Sequence, residues 1–251
     1  MISGAGRVRI GEDAVDVKFT VPAGACGPEA LLPDAQVLAN QVADLGAARA
    51  QRNGQKISCA KGCGACCRQL VPISPTEARH LASVVASLPP NRAAEVRKRF
   101  AEALSKIEAA GLPPRPPIAA NKSGYREWGL AYFRQGVPCP FLEDESCSIH
   151  SCRPLVCREY QVTSPPAACA KLGVGEVRQV PVPVRIWTVF AKSVSPQGEL
   201  EWMPLIEALR FAAENPESDR NKTGPQRVEA LLRELRTKPE NQTPGGGDAD
   251  G

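Results

Sequence analysis

Apolar and polar residues alternate near the start of the chain, in Arg7-Val8-Arg9-Ile10 and Val15-Asp16-Val17-Lys18-Phe19, with Gly and Pro on either side. A period of two turns one face inward and predicts two edge-type strands of a hairpin. From about residue 29 to 52 the spacing becomes helical, with Leu38, Val42 and Leu45 on one stripe and Gly54 beyond its end. Ser74-Pro75-Thr76-Glu77 spells a capping box with proline at the first helical position. Leu81, Val84, Val85 and Leu88 follow at core spacing, and Pro89-Pro90 stops that helix. A second helix, from about residue 92 to 110, aligns Val96, Phe100, Leu104 and Ile107 and predicts an antiparallel helical hairpin. Residues 112–123, with Pro113, Pro114, Pro116 and Pro117, read as an extended connector. After residue 176 come an alternating run over 177–184, a short strand near 200–203 and a helix using Leu205, Ala208, Leu209 and Ala212. A last helix carries Val228, Leu231, Leu232 and Leu235, and the Gly- and Asp-rich tail reads as disordered.

These patterns divide the chain into N-terminal strands and helix (1–55), a central segment (56–175), a C-terminal strand and helix extension (176–237) and a tail (238–251). Composition changes this picture little. Hydrophobic residues make up 43% of the 251, as in soluble globular proteins, and the formal charge of +4 is spread among interleaved acidic and basic residues. That gives no electrostatic case for nucleic acid. No run approaches the roughly 18 apolar residues of a membrane span. The start, Met-Ile-Ser-Gly-Ala-Gly, lacks a basic stretch followed by an apolar one, so a cytoplasmic setting is expected.

In a reducing compartment a dense cysteine pattern points to metal ligation before disulfides. Nine of the ten cysteines lie between residues 59 and 169, in two groups. Cys59, Cys63, Cys66 and Cys67 form C-x-x-x-C-x-x-C-C, with Gly62 and Gly64 allowing a loop to wrap an ion. The side chains of adjacent Cys66 and Cys67 diverge in extended backbone, which implies two metal positions or one polynuclear cluster approached from two sides. The second group holds Cys139, Cys147, Cys157 and Cys169, with His150 and Cys152 as spare candidates. Eight thiolates suffice for two four-coordinate ions. Arg68, Arg153 and Arg158 flank them as donors able to offset thiolate charge, and Tyr160 stands close enough to line the centre. The expected fold is α+β and mainly helical, with an irregular cysteine-rich metal-binding centre braced by a helical hairpin and small peripheral strands.

Cys63-Gly64-Ala65-Cys66-Cys67, Cys139-Pro140-Phe141-Leu142 and Cys147-Ser148-Ile149-His150-Ser151-Cys152-Arg153-Pro154-Leu155-Val156-Cys157-Arg158 resemble the YkgJ-type cysteine-cluster family, described as zinc- or iron-chelating. The resemblance spans about residues 58 to 160. It implies metal ligation at Cys59, Cys63, Cys66, Cys67, Cys139, Cys147 and Cys157, with His150 at a Tyr/His position. Cys152 falls at a variable position and Cys169 beyond the motif. The family brings no settled activity.

Other readings compete. Cys59, Cys63 and Cys66 also match the C-x-x-x-C-x-x-C spacing of radical SAM enzymes, but two helices and a proline linker follow where βα units would be expected. Cys26 is solitary and reads as incidental, and His80 as a helix-surface residue. Glu143, Asp144 and Glu145 read as a solvated turn. Thiolates serve zinc and iron alike, so the sequence leaves two functions open. One is a zinc or iron protein whose centre is structural, regulatory or concerned with metal handling. The other is an iron–sulfur enzyme acting on an unknown substrate. No Ser/His/Asp set, H-E-x-x-H or phosphate loop is present.

Overall fold

The computed structural model describes residues 1–10, 13–113, 115, 122–171 and 176–236. In chain order the elements are β1 (Ile2–Ile10), β2 (Asp13–Val21), β3 (Ala25–Cys26), α1 (Leu32–Arg52), β4 (Pro72–Ile73), α2 (Pro75–Ala86) and α3 (Pro90–Ala109). They continue with α4 (Lys122–Arg134), β5 (Leu142–Glu143), β6 (Ser146–Cys147), α5 (Leu155–Glu159) and α6 (Pro166–Ala170). The last are α7 (Ile186–Val194), β7 (Met203–Pro204), α8 (Ala208–Glu214), β8 (Lys222–Thr223) and α9 (Gly224–Arg236). The chain is mainly helical, and its described strands form only two-stranded pairs: β1–β2, β3–β8, β4–β7 and β5–β6.

The alternation near the N-terminus forms the expected hairpin. Its strands pair from Ile2 opposite Val21 to Ile10 opposite Asp13, and Val8, Ile10, Val15, Val17, Phe19 and Val21 are buried. The hairpin packs on α1, which buries Leu32, Ala35, Leu38, Ala39 and Val42, and the same core takes in Trp187 and Phe190 of α7 and Leu231 and Leu235 of α9. A second core joins α2, α3 and α8 through Leu81, Val85, Val96, Phe100 and Phe211. A third, smaller one holds Ile107 of α3, Trp128 and Tyr132 of α4, and Ile206. Burying such side chains contributes roughly 1.5–3 kcal/mol each before ordering costs are subtracted.

The capping box opens α2: Ser74 accepts from the Glu77 N–H, and the Glu77 carboxylate accepts from the Ser74 N–H. The run at 177–184 is not a strand. It makes one bridge, Val162 with Gln179, because Pro181 and Pro183 remove the N–H donors a ladder needs. Helix α7 stands where the sequence reading placed no helix: it is nine residues long and buries every residue from Ile186 to Ala191, so its period is too short and too little broken by polar positions to stand out. Helix α4 follows the proline-rich connector, of which 114 and 116–121 lie outside the described residues, as does the expected disordered tail. Among the described residues no helix is long and apolar enough to cross a membrane.

Candidate metal centre

All ten cysteines are free thiols. The first group sits on a loop that ends in a short 3₁₀ turn, Ala65–Arg68, carrying Cys66 and Cys67. Gly62 takes a positive φ of 84°, and the Cys63 N–H closes a turn onto the Ala60 carbonyl. The turn lies between two flanks. On one side is the β5–β6 hairpin, where Cys147 pairs with Leu142 and residues Asp144 and Glu145 adopt left-handed φ of 46° and 58°. The Cys139 N–H donates to the Cys67 carbonyl at 2.7 Å, fastening the two cysteine groups together. Arg68 donates to the Gly64 carbonyl at 3.2 Å and to Glu145 at 2.5 Å.

The other flank is the segment from Tyr160 to Ala170. The Ser58 N–H donates to the Val162 carbonyl at 2.9 Å, and the Val162 N–H donates to the Cys59 sulfur at 3.3 Å. Gln69 donates from Nε2 to the Cys169 carbonyl at 3.0 Å. Burial pushes the Tyr160 phenol up to about 12, with the Gln69 and Gln179 side chains drawing it down and the nearby Cys169 adding to it.

Behind the turn stands α5, which carries Cys157. Arg158 is buried and donates to the Ser151 carbonyl at 2.5 Å and the Arg153 carbonyl at 3.0 Å, folding the 151–158 segment back on itself. The buried Glu159 carboxylate accepts from the Ile186 and Trp187 N–H groups at the start of α7. Burial pushes its carboxyl up to about 8, against the pull of those two donors.

The thiols share one electrostatic neighbourhood. The adjacent Cys67 thiol and burial push the Cys66 thiol far above its ordinary range. Burial raises Cys157 strongly, and the charges of Cys139, Cys66 and Cys147 raise it further. Burial pushes Cys139 up to about 12, with Cys147 and Cys66 adding to it. Cys147 is raised by desolvation and by Cys66. On the other flank, desolvation raises Cys59, with Cys66 and Cys63 adding, and burial raises Cys169 to about 11, with Cys66, Cys59 and Cys63 adding. Cys66 is thus felt by five thiols on both sides of its turn. Without a cation, ionising these thiols is costly; a bound metal reverses that.

The model of the family CxxCxxCC, described as “Putative zinc- or iron-chelating domain”, matches residues 58–179. That segment, 122 of the 251 residues, is similar to this domain. No curated protein and no solved structure matches the chain.

Within this CxxCxxCC-like segment the donor set has the chemistry of a thiophilic ion site, but it is not closed. Among the described residues no three His, Cys, Asp or Glu side chains stand together as a group able to hold one ion. Of Arg68, Arg153 and Arg158, Arg153 acts on the most thiols, while Arg158 also favours ionised Cys147 and Arg68 feels Cys67. The Arg153 charge favours ionised Cys59, Cys66, Cys147 and Cys157, and its Nε is buried without a hydrogen-bond partner. Arg153 also lies 2.8 Å from His150 Nε2, and its positive charge lowers the His150 pKa. Cys152 is half-buried against the second core, 3.6 Å from the Ser151 hydroxyl. Cys26 lies in β3, where its carbonyl accepts from Arg227. Glu143 is not merely solvated: it bonds to Arg92 and, at 2.7 Å, to Arg99 of α3. Glu77, which the sequence marks only as a helix cap, reaches this domain too, accepting from the Leu155 N–H at 2.9 Å. A distance of 78 residues hides that bond from any local pattern.

Proposed function

We propose that the CxxCxxCC-like segment holds zinc or iron in a centre of two joined thiolate sites, with Cys59, Cys63 and Cys169 on one flank, Cys139, Cys147 and Cys157 on the other, and Cys66 shared between them. The observation that carries this reading is the position of Cys66, on a turn fastened to the 139–147 flank through the Cys67 carbonyl and to the 160–170 flank through Gln69, from which its sulfur, once ionised, would act on five of those six thiols. Cys67 is the reserve donor beside it, and His150, engaged with Arg153, is the weakest candidate. On this reading, ligation at roughly 2.3 Å per sulfur ties the first loop to both flanks, so that metal binding and ordering of the loop are one event. Arg153 donates toward the bound sulfurs and offsets part of their charge. An all-thiolate site is closed to water and stabilises its surroundings rather than performing hydrolysis, which favours a structural, regulatory or metal-handling role.

A shared cysteine beside a second one also suits an iron–sulfur cluster. Anaerobic purification followed by metal and sulfide analysis separates the two. About two zinc per chain, without sulfide or colour, supports the first reading. Iron with matching sulfide and a broad visible band supports the second. A chain that takes up neither metal under reducing conditions sinks both. In the loaded protein, Cys157→Ser is expected to lose metal and stability together.

A further inference from the structure

Helix α5 is five residues long, and a helix that short does not hold itself in water. Its N-cap, Pro154, offers no side chain to the exposed N–H groups of the first turn. Yet this is the element that carries Cys157, and its placement sets where that sulfur stands. What caps it comes from elsewhere. Glu77, only 2% exposed, accepts with Oε2 from the Ser74 N–H and hydroxyl, each at 3.0 Å, and with Oε1 from the Leu155 N–H at 2.9 Å. Leu155 is the first residue of α5 and fully buried. One carboxylate therefore caps two helices, its own and the one bearing the cysteine. Burial raises its pKa, while the Ser74 and Leu155 donors and the Arg158 charge favour the ionised form, the form that accepts on both oxygens.

We propose that Glu77 is a positioning residue for the metal centre, fixing the Cys157 helix against α2 so that the thiol is presented toward Cys66, Cys139 and Cys147. This rests on the metal reading above. Every oxygen–donor contact is internal and buried, so the residue is rigid on the side that matters. Removing it leaves the Leu155 N–H without its acceptor and lets the short helix shift.

The test is zinc(II) affinity of the full-length chain, measured under reducing conditions by competition with a chromophoric chelator, with helix content followed by circular dichroism. Glu77→Gln has one acceptor oxygen for both sets of donors, and keeping it on the two Ser74 donors turns the amide NH2 against the Leu155 N–H. Glu77→Asp keeps a carboxylate at the third position of α2 but is one methylene too short to span to Leu155. Ser74→Ala weakens the α2 cap while leaving the Leu155 bond in place. Both Glu77 variants are expected to bind zinc about tenfold more weakly, the scale seen when groups that orient ligands are lost. Ser74→Ala is expected to lower the melting temperature without changing affinity by more than about twofold. Wild-type chain that binds no zinc overturns the metal reading itself. Zinc-binding wild type with Glu77 variants of equal affinity overturns the positioning role alone. Equal loss in Ser74→Ala, or failure of both Glu77 variants to fold, does the same by reducing Glu77 to a general core residue.

Discussion

At Gly64 a methyl group would stand 2.5 Å from Leu142 Cδ1 and 2.6 Å from the Glu145 carbonyl oxygen. The side chain could swing away, but the carbonyl belongs to a turn already held in left-handed φ. Gly64→Ala is therefore expected to push the cysteine turn off the β5–β6 hairpin and to cost about 1–3 kcal/mol. A denaturant midpoint measured on the metal-free chain reads that cost, and an unchanged midpoint would mean the two segments are not in contact. Arg158 holds its segment through two bonds. Its buried guanidinium donates to two partly buried carbonyls, so Arg158→Met should destabilise by about 1–3 kcal/mol. Cys26 is the counterpart to the clustered thiols: Cys26→Ala is expected to leave metal stoichiometry unchanged, and any loss of metal in that variant would place Cys26 in the centre after all.

Between α3 and the β5–β6 hairpin the link is ionic. Partial burial works to raise the Glu143 carboxyl, but hydrogen bonds from Arg92 and Arg99 outweigh it and hold the pKa below the ordinary range. A depressed carboxylate contributes stability that is present above its unfolded value, about 4.3, and lost as pH falls through the lower folded value. Partial exposure limits the size of this contribution. The metal-free chain should therefore lose denaturant resistance as pH drops below about 4, and Glu143→Gln should be weaker at neutral pH with a smaller acid-dependent loss. Identical pH profiles for the two chains would assign the link no energy. Elements of this kind also mark how far a sequence can be read. The hairpin, α1, α2, α3 and α9 each have a polar face and an apolar one, so their periods are visible. Helix α7 is short and buries six consecutive residues, which blurs its period, and the proline-spaced run at 177–184 mimics a strand's alternation without a strand's donors. The cysteine groups are legible from spacing. Glu77 is legible only as a cap, because its second partner lies in a different part of the chain.

Across the whole molecule the second cysteine group stands between two cores. Cys139, Cys147 and Cys152 pack against the core of α2, α3 and α8, whereas α5 inserts Leu155 into the core of the hairpin, α1, α7 and α9. A metal held by Cys157 together with Cys139 and Cys147 would staple these cores to each other. The loaded protein is expected to unfold in one transition, and the chelator-stripped protein at a lower temperature in two. A scanning calorimetry trace unchanged by metal removal would contradict that arrangement. The bond from the Cys139 N–H to the Cys67 carbonyl has a further consequence. Its two residues are 72 positions apart, so during synthesis Cys59, Cys63, Cys66 and Cys67 leave the ribosome well before the second cysteine group exists. Over that interval the nascent chain offers a half-built site, able to seize an ion loosely but not to enclose it. On the proposed ligand set, faithful loading waits until residue 169 has emerged, and translation itself becomes the clock that decides when the ion is taken.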